Sequence, residues 1–547
     1  MERSKLKVAI VEDNGMARIN LRNHLMDMQF QDIGCFTHGR ELRSALKRQH
    51  YDILLMDFHL GSNKNGVEVI NDLQKQNLLK PSTSLVFVTS DRMPMIVGQI
   101  FDVHPEALVL KPYTIRNLEK SLNNCIEMHQ VQKPVLRLMD KNDNEGALEA
   151  LDQMINSETC KAKYRMPLIK LRARLLLKLK RFKQASELYR SVLERSDQII
   201  WAKWGLIQST HLAGEIEESE AMLKDLLKTN LTSDKASEWL TRINIEKKDY
   251  ETALEYINRL KEGEMSMSAT RLKAQLFMAL EEPDEAIDLV ERKRNSNREI
   301  REHFNELSLD LARIYLAEAE DNPEPTIRKE RLQTARFLIG SVGRKGQNPD
   351  LDVQRDYMQA LAAVVEDDVQ KARELLQQEG MLDLDNADLT TLSDAVAAWH
   401  GIGDDSTASE LLNDLEKRLA SLPDENEKTV SGLMALKNER RLGDKKTRAI
   451  AFNKKALEYY TQDQFKEAID LFYQAYILFP DEPAFSLNLL HCMVQAKQAE
   501  HKEARIAELF DELKTKKLSS ANAKRMQEIQ SKIKQYGLLE QTETPEE

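Results

Sequence analysis

The chain has 547 residues, which at about 100–200 residues per domain means roughly three domains, or one small domain followed by an extended array. Gly (19) and Pro (14) together are about half as frequent as in an average protein, which argues against a mostly β architecture. With 41% hydrophobic and 31% charged residues, disorder over the whole length is excluded, and a net charge of −11 is a poor start for binding a polyanion such as DNA.

Cys35, Cys125, Cys160 and Cys492 are too few and too scattered for a disulfide framework or a metal knuckle, so they are expected to be reduced and mostly buried. No apolar run approaches the roughly 18 residues of a membrane span, and the start MERSKLKVAIVED turns acidic where a signal peptide would stay apolar. A cytoplasmic protein without membrane insertion is expected.

In chain order, Lys7–Val11, Asp32–Phe36, Asp52–Met56, Ser84–Thr89 and Ala107–Leu110 have the β-branched, apolar character of strands. The stretches between them have helical spacing, as at Ile19, Leu21, Leu25 and Met28. Alternating β and α segments with near-continuous apolar strands predict a parallel sheet covered on both faces, with ligands at the carboxyl ends of the strands. The polar residues fall there: Glu12 and Asp13 end the first strand, Asp57 the third, Thr89 and Ser90 the fourth, and Lys111 and Pro112 the fifth. Carboxylates converging on one edge repel one another, and a hard divalent cation that keeps several waters, such as Mg2+, relieves the repulsion. A carboxylate beside that cation can attack phosphorus while a lysine and a hydroxyl steady the transferring oxygens. These parts suit phosphoryl transfer onto Asp57.

Residues 5–128 resemble the receiver domain of two-component response regulators, with VAIVEDN, DILLMDFHLGSNKNGVEVI, VFVTSD and LVLKPY in the family's order and spacing. The resemblance implies a flavodoxin-like fold and a phosphoryl group accepted by Asp57 from a histidine kinase or a phosphotransfer protein. It implies Mg2+ held by Asp13, Asp57 and the backbone carbonyl of His59, with Glu12 helping through water. Thr89, with Ser90 beside it, and Lys111 would take the phosphoryl oxygens, the Lys111–Pro112 bond would be cis, and Gly66 matches the glycine before the third helix. The sequence departs from the family at Leu108, where many receivers place an aromatic switch residue. An aspartate-nucleophile phosphatase would carry a D-x-D on its first strand; here the acceptor lies on the third and is followed two residues later by His59. A phosphoryl acceptor is therefore expected, not a turnover enzyme.

Residues 129–140 are expected to be a linker, and beyond them strand signals vanish. Ala185, Ser219, Ala253 and Ala286 recur every 33 or 34 residues, each just inside a segment of helical periodicity. This resembles the tetratricopeptide repeat, a helical hairpin, and implies an all-α superhelical solenoid. The clearest match is ALEYYTQDQFKEAIDLFYQAYILFP, with Ala456 and Tyr459 on its first helix and Phe465, Ala468, Phe472 and Ala475 on its second. Ala335, Ala372 and Ala408 continue the series more loosely, around a Pro-broken loop near residue 323. Eight or nine hairpins are expected, as repeats over 141–318, degenerate repeats over 319–425, and a C-terminal repeat with a capping helix over 426–538. Within the last block Lys514–Tyr536 has the pattern of that helix, and 539–547 that of a disordered acidic tail. In the last repeat the resemblance places Asn453, Leu457 and Tyr460 on a groove for a protein or peptide partner.

The expected function is that of a response regulator whose output is protein binding, with no nucleic-acid partner; pairing of two receivers is a further contact such a domain admits. The alternative is a constitutive scaffold with a silent receiver. A transcription regulator would need a basic recognition helix, and none stands out.

Overall fold

The five apolar runs form the strands β1 (Lys7–Val11), β2 (Asp32–Phe36), β3 (Ile53–Met56), β4 (Ser84–Thr89) and β5 (Ala107–Leu110) in a computed structural model of the chain. The structure describes residues 2–538 apart from 62, 159, 231, 323, 343–348, 386, 420, 421, 423, 480–482, 503 and 517–519. The strands pair in parallel in the order β2-β1-β3-β4-β5. The winding reverses after β1, which opens a crevice at the carboxyl ends of β1 and β3.

Between the strands run α1 (Gly15–Asp27), α2 (Gly39–Leu46), α3 (Gly66–Lys75) and α4 (Pro94–Asp102), and α5 (Ile115–Asp140) follows β5. Strand side chains alternate between faces. Ala9, Val11, Leu54, Met56 and Phe87 pack under α2, α3 and α4, whereas Val8, Ile10, Leu55, Val86 and Val88 pack under α1 and α5. Local chemistry starts the helices: Asn14 caps α1, and Asn65 and Glu68 form a reciprocal capping box on α3. Asp52, expected in the third strand, stands just before it, its carboxylate accepting from the Lys7 N–H at 2.8 Å.

The expected linker over residues 129–140 is helix. α5 runs unbroken to Asp140 despite Pro134, with Val135 buried in the core of the next helices and Leu138 and Met139 packed against it. Cys125 and Cys492 are buried as expected, but Cys35 is exposed.

The chain divides into two compact units, Met1–Ile314 with Leu422–Val430, and Tyr315–Ser421 with Ser431–Glu547. In the first, a series of helices follows the receiver, among them Ala162–Lys178, Phe182–Leu193, Ile200–Leu212, Ile216–Leu226, Ser233–Glu246, Tyr250–Ile257, Met267–Ala279 and Pro283–Ser296. Every second helix begins where the small-residue series places it, and Ala185, Ser219, Ala253 and Ala286 are all 0% exposed. A side chain no larger than serine lets neighbouring helices approach closely. The chain reverses two residues before each of these helices through a left-handed residue: Lys180, Gly214, Lys248 and Glu281 all have positive φ. Only Gly214 adopts that conformation without a Cβ penalty.

The second unit continues the pattern with Ala335, Ala372, Ala408 and Ala468, again 0% exposed. Its last core gathers Ala456, Phe472, Leu489, Phe510 and Ile529 from five successive helices. Two details differ from expectation. Lys514 lies in the last turn of the helix Ile506–Thr515, and the last described helix begins only at Ser520. A short antiparallel ribbon, Glu500–His501 with Ala504–Arg505, interrupts an otherwise helical region. The expected tail over 539–547 and Pro323 of the Pro-broken loop lie outside the described residues. No described helix is long and apolar enough to cross a membrane.

An added Cβ at Gly214 would meet nothing within 4 Å, so any cost of a side chain there is purely that of the backbone at φ +89°. Gly214→Ala should lower the unfolding free energy by about 1 kcal/mol in a denaturant titration. Gly263→Ala, in equally open space without positive φ, should not lower it.

Candidate phosphoryl-acceptor site

The carboxylates of Glu12, Asp13 and Asp57 lie within 4.8 Å of one another at the edge shared by β1 and β3. Asp57 (8% exposed) and Glu12 (3%) are buried, and Asp13 is exposed. One cation faces them: the Lys111 ammonium donates to Glu12 Oε2 at 2.5 Å and to Asp57 Oδ2 at 2.7 Å. Burial pushes the Glu12 carboxyl above its ordinary range against the pull of the Lys111 hydrogen bond. Burial also works against the charge of Lys111, but its bonds to Asp57 and Glu12 outweigh this and hold its pKa above the usual lysine value. The other Asp57 oxygen, Oδ1, accepts the Phe58 N–H at 2.7 Å, so the side chain is held at both ends.

The surrounding backbone is fitted closely to this edge. Gly66 donates its N–H to the Phe58 carbonyl at 2.7 Å, and a Cβ on Gly66 would stand 2.2 Å from the Asp57 carbonyl oxygen. Only glycine admits so near an approach. Arg18, not anticipated from the sequence, ties the β1–α1 turn by donating to the carbonyls of Glu12 and Asp13. Thr89 is fully buried and its hydroxyl oxygen accepts the Asp91 N–H at 3.2 Å, while Ser90 is exposed. The Lys111–Pro112 peptide is cis. Leu108 is partly buried against the core under α2, α3 and α4. His59 is exposed, and its ring Nε2 meets Asp91 Oδ2 at 3.0 Å, joining the β3 and β4 loops.

Three carboxylates face a single ammonium, and among the described residues the Asp13 side chain has no hydrogen-bond partner. The residual negative charge and the all-oxygen donors fit a hard divalent cation. Asp13 and Asp57 could hold Mg2+, with Glu12 behind them.

Residues 8–123 match the response regulator receiver domain. Among solved structures, the receiver domain of RcsB from Salmonella enterica serovar Typhimurium, solved with the phosphomimetic BeF3-, is 22% identical and covers 22% of this chain and 86% of its own (TM-score 0.20). The chemotaxis protein CheY4 of Vibrio cholerae is 20% identical, over 22% of this chain and 98% of its own (TM-score 0.21). The signal receiver domain of a modulated diguanylate cyclase from Desulfovibrio desulfuricans G20 is 26% identical, over 23% and 96% (TM-score 0.21). No match was found among curated proteins. The chain thus carries a response regulator receiver domain, followed by a region that is helical apart from one short ribbon.

Local sequence patterns gave no sign of how the receiver is joined to the helices of its own unit. Glu68, besides closing the α3 capping box, meets His303 Nε2 at 3.0 Å. Lys64, before α3, reaches Glu306 at 2.9 Å, and Glu306 also accepts from Arg271 at 3.1 Å, which in turn bonds Asp310 at 2.7 Å. Lys75 at the end of α3 pairs with Glu427 at 2.6 Å. At the end of α4, Asp102 pairs with Lys235, which also lies 4.9 Å over the Trp204 ring. Trp239 and Trp399 are buried, while Trp201 and Trp204 are half-buried. The helices that follow the acceptor Asp57 and the buried Thr89 are therefore both tied to the array.

Burial favours protonation of Glu306, but Lys64 and Arg271 outweigh it and hold its carboxyl well below the usual range. A carboxyl depressed in the folded state contributes stability above its unfolded pKa and loses it as pH falls. Glu306→Gln should lower the unfolding free energy at pH 7 by about 1–3 kcal/mol. That difference should shrink below about pH 4.5 in calorimetry across pH.

Proposed function

We propose that the protein is a cytoplasmic response regulator of a two-component phosphorelay, phosphorylated on Asp57 in a Mg2+-dependent reaction, with a tetratricopeptide-type helical array as its protein-binding output. The observation that carries the reading is the convergence of Glu12, Asp13, Asp57, Thr89 and Lys111 on one strand edge of a receiver domain. A histidine kinase or phosphotransfer protein supplies the phosphoryl group. Asp57 Oδ2 attacks phosphorus, a P–O bond forms as the donor's P–N bond breaks, and the donor imidazole leaves with the electron pair. Bound Mg2+ would supply charge neutralisation for the phosphoryl oxygens.

Lys111 is central to the chain's own part. Its ammonium bonds the oxygen that becomes the acyl phosphate, so on transfer it exchanges a carboxylate partner for a phosphoryl oxygen. The Thr89 hydroxyl, buried beside it on β4, is the donor for another. About −1.5 to −2 charges arrive at this edge, and the β4–α4 segment responds. Because α4 is tied to Lys235 and α3 to His303, Glu306 and Glu427, that response is felt by the array. Leu108 lacks the ring that many receivers use as a switch, so the movement runs through Thr89 and the helix contacts. With the acceptor on the third strand and His59, not a second Asp, two residues after it, Asp57 is read as a phosphoryl acceptor and not as the nucleophile of a turnover enzyme. The net charge of −11 disfavours a polyanion such as nucleic acid and supports a protein as the partner of the output.

The tetratricopeptide reading of the output rests on the small residues at 33- or 34-residue spacing, all fully buried where helices meet. Incubation with a small phosphodonor and Mg2+ should label the wild type and leave Asp57→Asn unlabelled; stable label on the variant would sink the assignment. Partner capture should differ between wild type in Mg2+ and beryllofluoride and Asp57→Asn. Identical capture would favour the constitutive scaffold with a silent receiver.

A further inference from the structure

The segment Leu422–Val430 belongs to the first compact unit, although the chain before it and after it belongs to the second. It opens the long helix Glu425–Thr461, and local bonds shape that start: Asp424 Oδ1 accepts the backbone N–H groups of Asn426 at 2.9 Å and Glu427 at 3.0 Å. These bonds lie within the segment and tie it to nothing else. Two side chains attach it to the first unit, one to the array and one to the receiver.

The hold on the array is a buried amide. Asn426, 4% exposed, accepts from Arg242 Nη1 at 2.5 Å through its Oδ1 and donates through Nδ2 to Glu238 Oε2 at 3.0 Å. Both partners lie on the helix Ser233–Glu246. Arg242 is buried 4.4 Å from the Trp239 ring, and its Nη2 has no hydrogen-bond partner among the described residues. The hold on the receiver is Glu427, which accepts from Lys75 Nζ at 2.6 Å at the end of α3. Arg271, the other cation near Glu427, is already bonded to Asp310 and Glu306. Lys75, by contrast, has a second acid beside it in Asp72, one turn earlier on α3.

Two receiver helices therefore bear on this one segment. α3, which follows Asp57, reaches it through Lys75; α4, which follows Thr89, is tied by Asp102 to Lys235, on the same helix as Glu238 and Arg242. We propose that Leu422–Val430 is a latch that the unphosphorylated receiver holds closed and that phosphorylation of Asp57 opens. The proposal rests on the acceptor reading of Asp57 and names the place that its response reaches. As the phosphoryl group draws on Lys111 and Thr89, α3 and α4 shift, Lys75 turns to Asp72, and Glu427 keeps its partly buried position without the cation that bonds it. A carboxylate so stripped is more stable in water. The segment then leaves, with the start of the long helix. Only a contact that differs between two states can carry such a change, and here that contact is Lys75–Glu427.

Hydrogen–deuterium exchange of the full-length protein, read by mass spectrometry over peptides covering 422–430, tests the latch. Mg2+ with beryllofluoride should speed exchange there about tenfold or more in the wild type and leave Asp57→Asn unchanged. Lys75→Gln and Glu427→Gln break the pair from opposite sides, and each should give the fast exchange without beryllofluoride. Exchange over 182–226 equal to that of the wild type separates opening of the latch from general unfolding, and the beryllofluoride comparison needs neither variant. Exchange over 422–430 that stays slow in both variants, or that does not quicken while peptides over 57–75 respond to beryllofluoride, would overturn the latch and leave the acceptor reading standing. No response over 57–75 either would overturn the acceptor reading and the latch with it.

Discussion

Glu306 is one carboxylate answering two cations, Lys64 from the segment before α3 and Arg271 from the helical array. Its partly buried setting makes those contacts directional as well as attractive, because each charge withdrawn from water must find its counterpart in one geometry. Lys64 lies seven residues after Asp57, in the loop that also contains the close approach of Gly66 to the Asp57 carbonyl. The backbone carrying the acceptor is thereby braced from outside the sheet. A displacement of that loop cannot be absorbed locally; it has to be matched by Glu306 or by the loss of the bond.

The acceptor edge was legible in the sequence because parallel strands end in register. Glu12, Asp57, Thr89 and Lys111 each follow an apolar run, and β1, β3, β4 and β5 bring those ends together. The helices beyond the receiver were legible because a steric demand recurs: Ala185, Ser219, Ala253 and Ala286 are all fully buried near the starts of their helices. What stayed hidden came from pairs distant along the chain. Nothing local marks His303 as a partner of Glu68 or Glu427 as a partner of Lys75, since an exposed acid and a solvated acid awaiting a partner look alike in sequence. The segment 129–140 was misjudged for a related reason: it lacks glycine and carries apolar residues, but their burial depends on helices that follow it.

At the sheet edge carboxylates outnumber the ammonium that faces them, a surplus that suits metal and phosphoryl chemistry. The Phe58 backbone N–H holds Asp57 Oδ1 in place, and the Thr89 hydroxyl fixes the turn after β4 by accepting the Asp91 N–H.

The unbroken course of α5 from Ile115 to Asp140 joins the receiver to the helices on which its last turns pack. A helix stores the angular phase between its ends: each inserted residue turns whatever follows by about 100° and advances it by about 1.5 Å. A receiver transplanted onto this array would therefore have to match in helical phase, not merely in sequence, or the surfaces carrying His303 and Lys235 would turn away from it. Insertions of seven residues, nearly two whole turns, are the smallest that come close to restoring the original bearing.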